Sequence, residues 1–229
     1  IEGQQLKNKL NLISIPYRIE AYDISNLGPD YRVGSMVVME DGLSKPSMYR
    51  KFHIKSFQGQ DDFKSMEEVI FRRLKRLTKD SENDPSFRRK PDLILIDGGK
   101  GQLSSAKGVI DHLQLDIDIV GLAKREEEIF KPFNKESILL NKNSEALFTL
   151  QNIRDEAHRF AINENRRLRI KNFDKQTLLT IEGVGTVSSK KVLDKFKTME
   201  KLSNATYEEL EEIVSPNIAR KIYRHFNGT

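Results

Sequence analysis

The sequence predicts an α/β domain, a mixed sheet with helices on its faces, followed by a small all-α domain. Residues 17–57 hold apolar-rich stretches separated by short turn-forming segments, the pattern of an antiparallel meander. Residues 61–160 then alternate helix-like and strand-like runs, which builds a mixed sheet covered by helices. Beyond Ile162 the chain turns polar and basic, and residues 176–229 contain no strand-like run. The boundary is placed near residue 172, giving domains 1–172 and 173–229.

Leu6, Leu10 and Ile13 recur at helical spacing, so residues 1–14 read as an amphipathic lead-in. From Tyr17 the pattern alternates, and in RIEAYDIS the residues Ile19, Ala21 and Asp23 share one face. The run NLGPD at 26–30 is a turn by composition, 33–39 a second strand, Asp41-Gly42 another turn, and 47–57 a third strand. Asp61 or Asp62 then caps a helix reaching about residue 77, with Met66, Val69, Ile70, Leu74 and Leu77 as its apolar stripe. Leu93, Ile94, Leu95 and Ile96 form a continuous apolar run, as in a strand covered on both faces. Asp97 ends that strand, Gly98, Gly99 and Gly101 follow, and a helix comes next. A strand at 117–123 precedes a charged hairpin, EEEIFKP against SILLNK. Ser144 caps a long helix in which Leu147, Leu150, Ile153, Ala157 and Phe160 recur.

Composition narrows the function classes. The net charge of +5 and a pI near 9.2 favour a polyanionic partner. The absence of cysteine removes disulfides, thiolate metal sites and cysteine nucleophiles, and fits a reducing cytoplasm. No apolar run approaches the roughly 20 residues that span a bilayer, and no signal peptide opens the chain. The first residue is not methionine, as expected of a piece of a longer protein.

The segment LLTIEGVGTVSSKKVLDKF carries the sharpest local signal. A helix is expected to end at Ile181, a tight turn to run through Glu182, Gly183, Val184 and Gly185, and a helix to begin near Ser188. Glycines let a backbone approach a ligand, and the next helix points free N–H groups at it, which makes an anion site. Lys190 and Lys191, placed in the first helical turn, suit a phosphate there. The pattern resembles the helix-hairpin-helix motif, which binds DNA backbone without reading sequence; the alternative is an ordinary helical corner built with glycines. A second copy, YEELEEIVSPNIARKIYRHF, lacks both glycines and is either structural or a weaker phosphate contact. Arg166 and Arg167, in the basic run NENRRLRIKNFDK, are further candidates for DNA contact.

Asp23 and Asp97 each end a predicted strand, and either alone passes for a turn or helix cap. Together they can bring two carboxylates to one rim of a sheet. Asp61 or Asp62 adds a third acid before the first long helix, and His158 in RDEAHRF offers an imidazole. Aspartates plus one histidine form a hard-oxygen site suited to Mg²⁺ or Mn²⁺. Nucleotide-loop readings of DGGKGQ fail, because neither G-x-x-x-x-G-K-[ST] nor G-x-G-x-x-G matches, and no zinc spacing exists.

In the order YDISN, QGQDDF, PDLILIDGGKGQL, RDEAHRFAI and TIEGVG, the chain resembles the C-terminal half of the UvrC family, the incision subunits of the bacterial UvrABC excision nuclease. The resemblance implies an RNase H-like endonuclease domain followed by a tandem helix-hairpin-helix domain. It implies a catalytic set at Asp23, Asp97 and His158, with Asp62 rather than Asp61 as the further family carboxylate, and metal ligation by Asp23, Asp97 and His158. It also implies a divalent ion, damaged double-stranded DNA as substrate, the UvrB–DNA pre-incision complex as partner, a monomer and a cytoplasmic location. The family's 3′-cutting module and its UvrB-docking segment lie upstream of the matched region, so the resemblance assigns this half the 5′ cut. Readings that compete are an inactive DNA-binding scaffold and an RNase H-like nuclease acting on RNA or deaminated bases.

Overall fold

The computed structural model describes residues 2–26, 32–54, 61–78, 83–123 and 127–227; the side chains of Glu2 and of residues 164–173 lie outside the described set. The elements run α1 (Glu2–Leu10), β1 (Arg18–Asn26), β2 (Arg32–Glu40), β3 (Leu43–Ser44), β4 (Arg50–His53), α2 (Asp62–Leu74), α3 (Pro85–Arg88), β5 (Leu93–Ile96), α4 (Lys100–His112), β6 (Asp118–Leu122), β7 (Ile129–Phe130) and α5 (Glu145–Leu179). They form a seven-stranded sheet in the order β3-β2-β1-β5-β6-β7, with β4 also paired to β2. β1 runs antiparallel to β2 and parallel to β5, β5 parallel to β6, and β7 antiparallel to β6. The sheet is therefore mixed, as expected.

Alternation along the strands divides the core into two layers. Ile19 and Ala21 of β1, Leu93 and Leu95 of β5, and Val120 and Leu122 of β6 pack with Leu6 and Leu10 of α1 and Leu150, Ile153 and Ala157 of α5. Tyr22, Ile94, Ile96 and Ile119 face the other way, against Met66, Val69, Ile70 and Leu74 of α2 and Leu103, Ala106 and Ile110 of α4. Each fully buried Val, Leu, Ile or Met side chain among these contributes about 1.5–3 kcal/mol. The run LILI of β5 is buried on both sides because it sits mid-sheet between two parallel neighbours.

β1 also buries charged side chains. Glu20, fully buried, accepts hydrogen bonds from Arg18 Nε (2.9 Å), Arg73 Nη2 (2.8 Å) and Nε (3.1 Å), and the Tyr22 hydroxyl (2.6 Å). Burial first, and then the Glu20 charge, push the Tyr22 phenol well above its ordinary pKa.

Several expectations need correction. The lead-in helix stops at Leu10; the chain reverses at Asn11 (φ 48°), so Leu12 is buried and Ile13 is exposed. Of the third strand expected at 47–57, only β4 forms a strand among the described residues: Ser47 and Met48 belong to a 3-10 turn begun by Pro46, and residues 55–57 lie outside the described set; β3 is a short additional strand before the turn. The charged hairpin shrinks to a bridge between Ile129 and Ile138, and β7 pairs with β6 instead. The expected turn at 26–30 lies largely outside the described residues.

The chain divides into compact units at residues 1–165 and 166–229, a division that falls within α5. The second unit holds α6 (Thr186–Phe196), α7 (Met199–Ser203), α8 (Tyr207–Glu211) and α9 (Pro216–Asn227) around Leu178, Ile181, Val192, Leu193, Leu202, Leu210, Ala219 and Ile222. Val184 and Val214 anchor two of its interhelical turns in this core, each just before a helix starts.

Candidate metal centre and nucleic-acid interface

The parallel register of β1 and β5, from Ile19↔Leu93 to Tyr22↔Ile96, continues one step further, where the Asp97 N–H donates to the Tyr22 carbonyl at 2.9 Å. Asp97, just past the end of β5, therefore stands beside Asp23, which lies within β1 three residues before its end; both are buried and both are on the α5 side of the sheet. Leu150, Ile153, Ala157 and Ala161 hold one face of α5 in the core, and His158 lies at its edge, half exposed. Ligand atoms of Asp23, Asp97 and His158 all fall within 4.8 Å of one another. His158 Nδ1 is 3.7 Å from Asp23 Oδ2, beyond hydrogen-bond range, while the Ser25 hydroxyl donates to the same oxygen at 3.3 Å.

The other charges of RDEAHRF are occupied locally. Arg154 pairs with Glu127 (2.7 Å) and Asp155 (2.8 Å), and two hydrogen bonds from Arg159 hold Glu156 below the usual carboxylate range. His158 is the member of that motif that faces Asp23. Two carboxylates held this close repel unless a cation or proton is shared between them. Two aspartates and one imidazole fit a hard divalent ion such as Mg²⁺ or Mn²⁺.

Asp62 stands apart from this trio. Asp61 takes the capping role, accepting from the Phe63 and Lys64 N–H groups at 3.0 Å, which leaves Asp62 half exposed as the first residue of α2. That helix packs on the face of the sheet opposite α5. Asp62 lies 3.9 Å from Arg32 and lines a pocket with Asp61, Phe63, Gln102 and Asn26, the last residue of β1.

Gly98 and Gly99 form a turn, and α4 starts at Lys100 with Gln102 Oε1 accepting from the Gly99 N–H at 3.2 Å. In the second unit, Gly183 adopts φ 84°, a conformation that favours glycine, and Gly185 is the N-cap of α6 with no side-chain cap. The helix starts at Thr186, two residues earlier than expected, so Lys190 and Lys191 fall in its second turn and do not oppose the dipole at its tip. Both are exposed, as are Gly183 and Gly185, while Val184 is buried. Lys221 of α9 approaches this turn, 3.8 Å from Glu182. The side chains of Arg166 and Arg167 lie outside the described residues.

Sequence reasoning missed the Glu20 network, Ser25 beside Asp23, and Phe63, which packs against Gly101. A glutamate in the middle of an otherwise apolar strand was the available signal for the first. Nothing local marked the others.

An RNase H-like α/β domain with an acidic and imidazole centre at its strand ends, joined to a helix-hairpin-helix module, is the class that this fold defines. Residues 7–162 match the family model described as UvrC RNase H endonuclease domain, and residues 176–229 match that of the helix-hairpin-helix motif. The chain belongs to the UvrC family. It is 44% identical over 227 residues to UvrABC system protein C of Methanococcoides burtonii, covering 97% of this chain and 37% of that protein. The same-named protein of Chlorobaculum tepidum is 44% identical over 226 residues, covering 98% of this chain and 35% of the relative. The chain thus spans about a third of the length of the curated relatives it matches. Among solved structures it is similar to endonuclease V of Ciona intestinalis in complex with an inosine-containing DNA, at 13% identity and a TM-score of 0.43, covering 72% of this chain and 95% of that one. Among the described residues, no helix is long and apolar enough to cross a membrane.

Proposed function

We propose that this chain is a divalent-metal-dependent DNA endonuclease that makes the 5′ incision beside a lesion in nucleotide excision repair. The observation that carries the proposal is the convergence of Asp23, Asp97 and His158 within 4.8 Å at the strand ends of a UvrC-family domain. Mg²⁺ or Mn²⁺, when bound, supplies positive charge for the phosphodiester oxygens and acidifies a water. Asp23 and Asp97, fixed by the β1/β5 ladder, would hold the ion. His158, half exposed and anchored through α5, would be a further ligand or would move the proton of the attacking water. Asp62 brings supporting negative charge to the rim from the opposite layer. Hydrolysis leaves a 5′ phosphate and a 3′ hydroxyl.

The helix-hairpin-helix unit supplies the grip on damaged double-stranded DNA. The uncapped first turn of α6 offers backbone N–H groups to a phosphate, Gly183 and Gly185 let the strand come close, and Lys190 and Lys191 add charge on the next turn. Arg166 and Arg167 extend the basic surface. The chain works as a monomer on a UvrB–DNA pre-incision complex in the cytoplasm.

The test is nicking of a lesion-containing duplex with partner proteins supplied. Cutting is expected on the 5′ side with Mg²⁺ or Mn²⁺, absent in EDTA, and reduced at least about 100-fold by Asp97→Asn, since even residues behind metal ligands carry 10–100-fold effects. Undiminished cutting by Asp97→Asn overturns the assignment.

A further inference from the structure

The pocket lined by Asn26, Asp61, Asp62, Phe63 and Gln102 has a volume of about 550 Å³, within the range of small-ligand sites. We propose that it is a base-stacking subsite, in which the ring of Phe63 receives an unpaired nucleobase of the strand being cut. The proposal rests on the nuclease reading above.

Phe63 is 54% exposed although it sits in the first turn of α2, beside a buried core. Its ring lies tight against the backbone at the start of α4: a Cβ on Gly101 would come 2.4 Å from Phe63 Cε1. A ring fixed on one side and open on the other is an oriented platform, and aromatic platforms accept any base because each has a π-face. The lining suits a neutral base. The carboxylates of Asp61 and Asp62 are each matched by a nearby cation, Lys64 and Arg32, and can accept from base amino groups. Gln102 spends its Oε1 on the Gly99 N–H and keeps its NH₂ for donation, while the Asn26 amide offers both a donor and an acceptor.

Placement agrees with this use. Asn26 lies three residues beyond Asp23 on β1, about 10 Å at the strand rise, and on the opposite face of the sheet. That distance spans about three stacked nucleotides at 3.4 Å each. The subsite would therefore hold a base within about three nucleotides of the scissile phosphate, splayed over the rim while the backbone reaches Asp23 and Asp97. Phe63 is then a positioning residue: it places the strand and takes no part in the chemistry.

The experiment uses lesion-containing duplexes with 2-aminopurine at each of the three positions on either side of the cut, bound by the full chain with partner proteins. Wild type should quench one position on binding. Phe63→Ala should lose that quench and weaken binding or single-turnover incision by roughly 5- to 150-fold, the range of one lost base stack. Phe63→Trp should restore both, and Phe63→Leu, which keeps bulk against Gly101, should not. Full rescue by Phe63→Leu, or no change in Phe63→Ala, overturns the proposal. If Phe63→Ala melts early, the Trp and Leu variants decide the question. A Phe63-dependent quench with no cutting by wild type would instead defeat the nuclease reading and leave the subsite standing.

Discussion

Replacing Glu20 with glutamine probes the element that holds Asp23 in place. Glu20 is three residues before Asp23 on β1, and its carboxylate is the shared partner of Arg18 and Arg73, whose side chains are 1% and 0% exposed. Glutamine keeps the shape but removes the charge, and it forces an NH₂ group toward guanidinium or phenol donors. Glu40 remains for Arg18, at 2.9 Å, whereas Arg73 keeps the carbonyls of Phe87 and Arg89, which carry no charge to match its own. Removing one partner of a buried pair costs about 3–5 kcal/mol, because the other charge stays buried. At about 2–4 °C per kcal/mol for a domain of this size, Tm should fall by roughly 6–20 °C. Urea unfolding should show a lower midpoint at unchanged slope, meaning lost stability without a different unfolded state. Below its melting point the variant should still cut, since Asp23, Asp97 and His158 are untouched. A loss under about 1 kcal/mol would refute the reasoning and show that water or rearrangement replaces the carboxylate.

Three further outcomes are expected. Gly183→Val forces a β-branched residue into φ 84° and should destabilise the helical unit, whereas a Cβ at Gly185 meets nothing within 4 Å. Gly185→Val should therefore lower the melt less than Gly183→Val, by the poorer N-cap alone, yet weaken DNA binding, lowering the salt slope by about 0.9 for each phosphate no longer engaged; equal affinity across salt concentrations would reduce the turn to a corner. Asp84 accepts two hydrogen bonds from Arg50, and these, with Ser86, hold its carboxyl well below the usual range. A depressed pKa stabilises the fold above the unfolded value near 4 and loses that contribution as pH falls further. The stability gap between wild type and Asp84→Asn, followed by Tm from pH 7 to 2, should be widest near neutrality and close progressively below about pH 4. A gap that stays constant through pH 2 would contradict the assignment.

Much of this organisation is legible because period and punctuation agree. The LILI run ending at Asp97, the alternation through Ile19, Ala21 and Asp23, and the Leu150–Ile153–Ala157 stripe each place a candidate residue on a definite face. Those faces coincide, which is why the trio meets. Asp62 shows where one-dimensional reading stops: its position before α2 is plain, but only the layer order puts it on the side opposite His158. The third strand reads as starting at Ser47, although a 3-10 turn begun by Pro46 delays it to Arg50. The Glu20 network cannot be paired from sequence, since Arg73 arrives from a helix far along the chain. The glycines locate the helical hairpin, but an uncapped Gly185 gives no side-chain signal of where its second helix starts.

Whether Asp23, Asp97 and His158 hold one divalent cation is decided most directly by anomalous diffraction from crystals grown with Mn²⁺. A peak is expected within coordinating distance of both carboxylates and on the side of His158, and it should vanish in Asp97→Asn. A Mn²⁺ peak elsewhere in the domain, or none at saturating metal, would contradict the assignment.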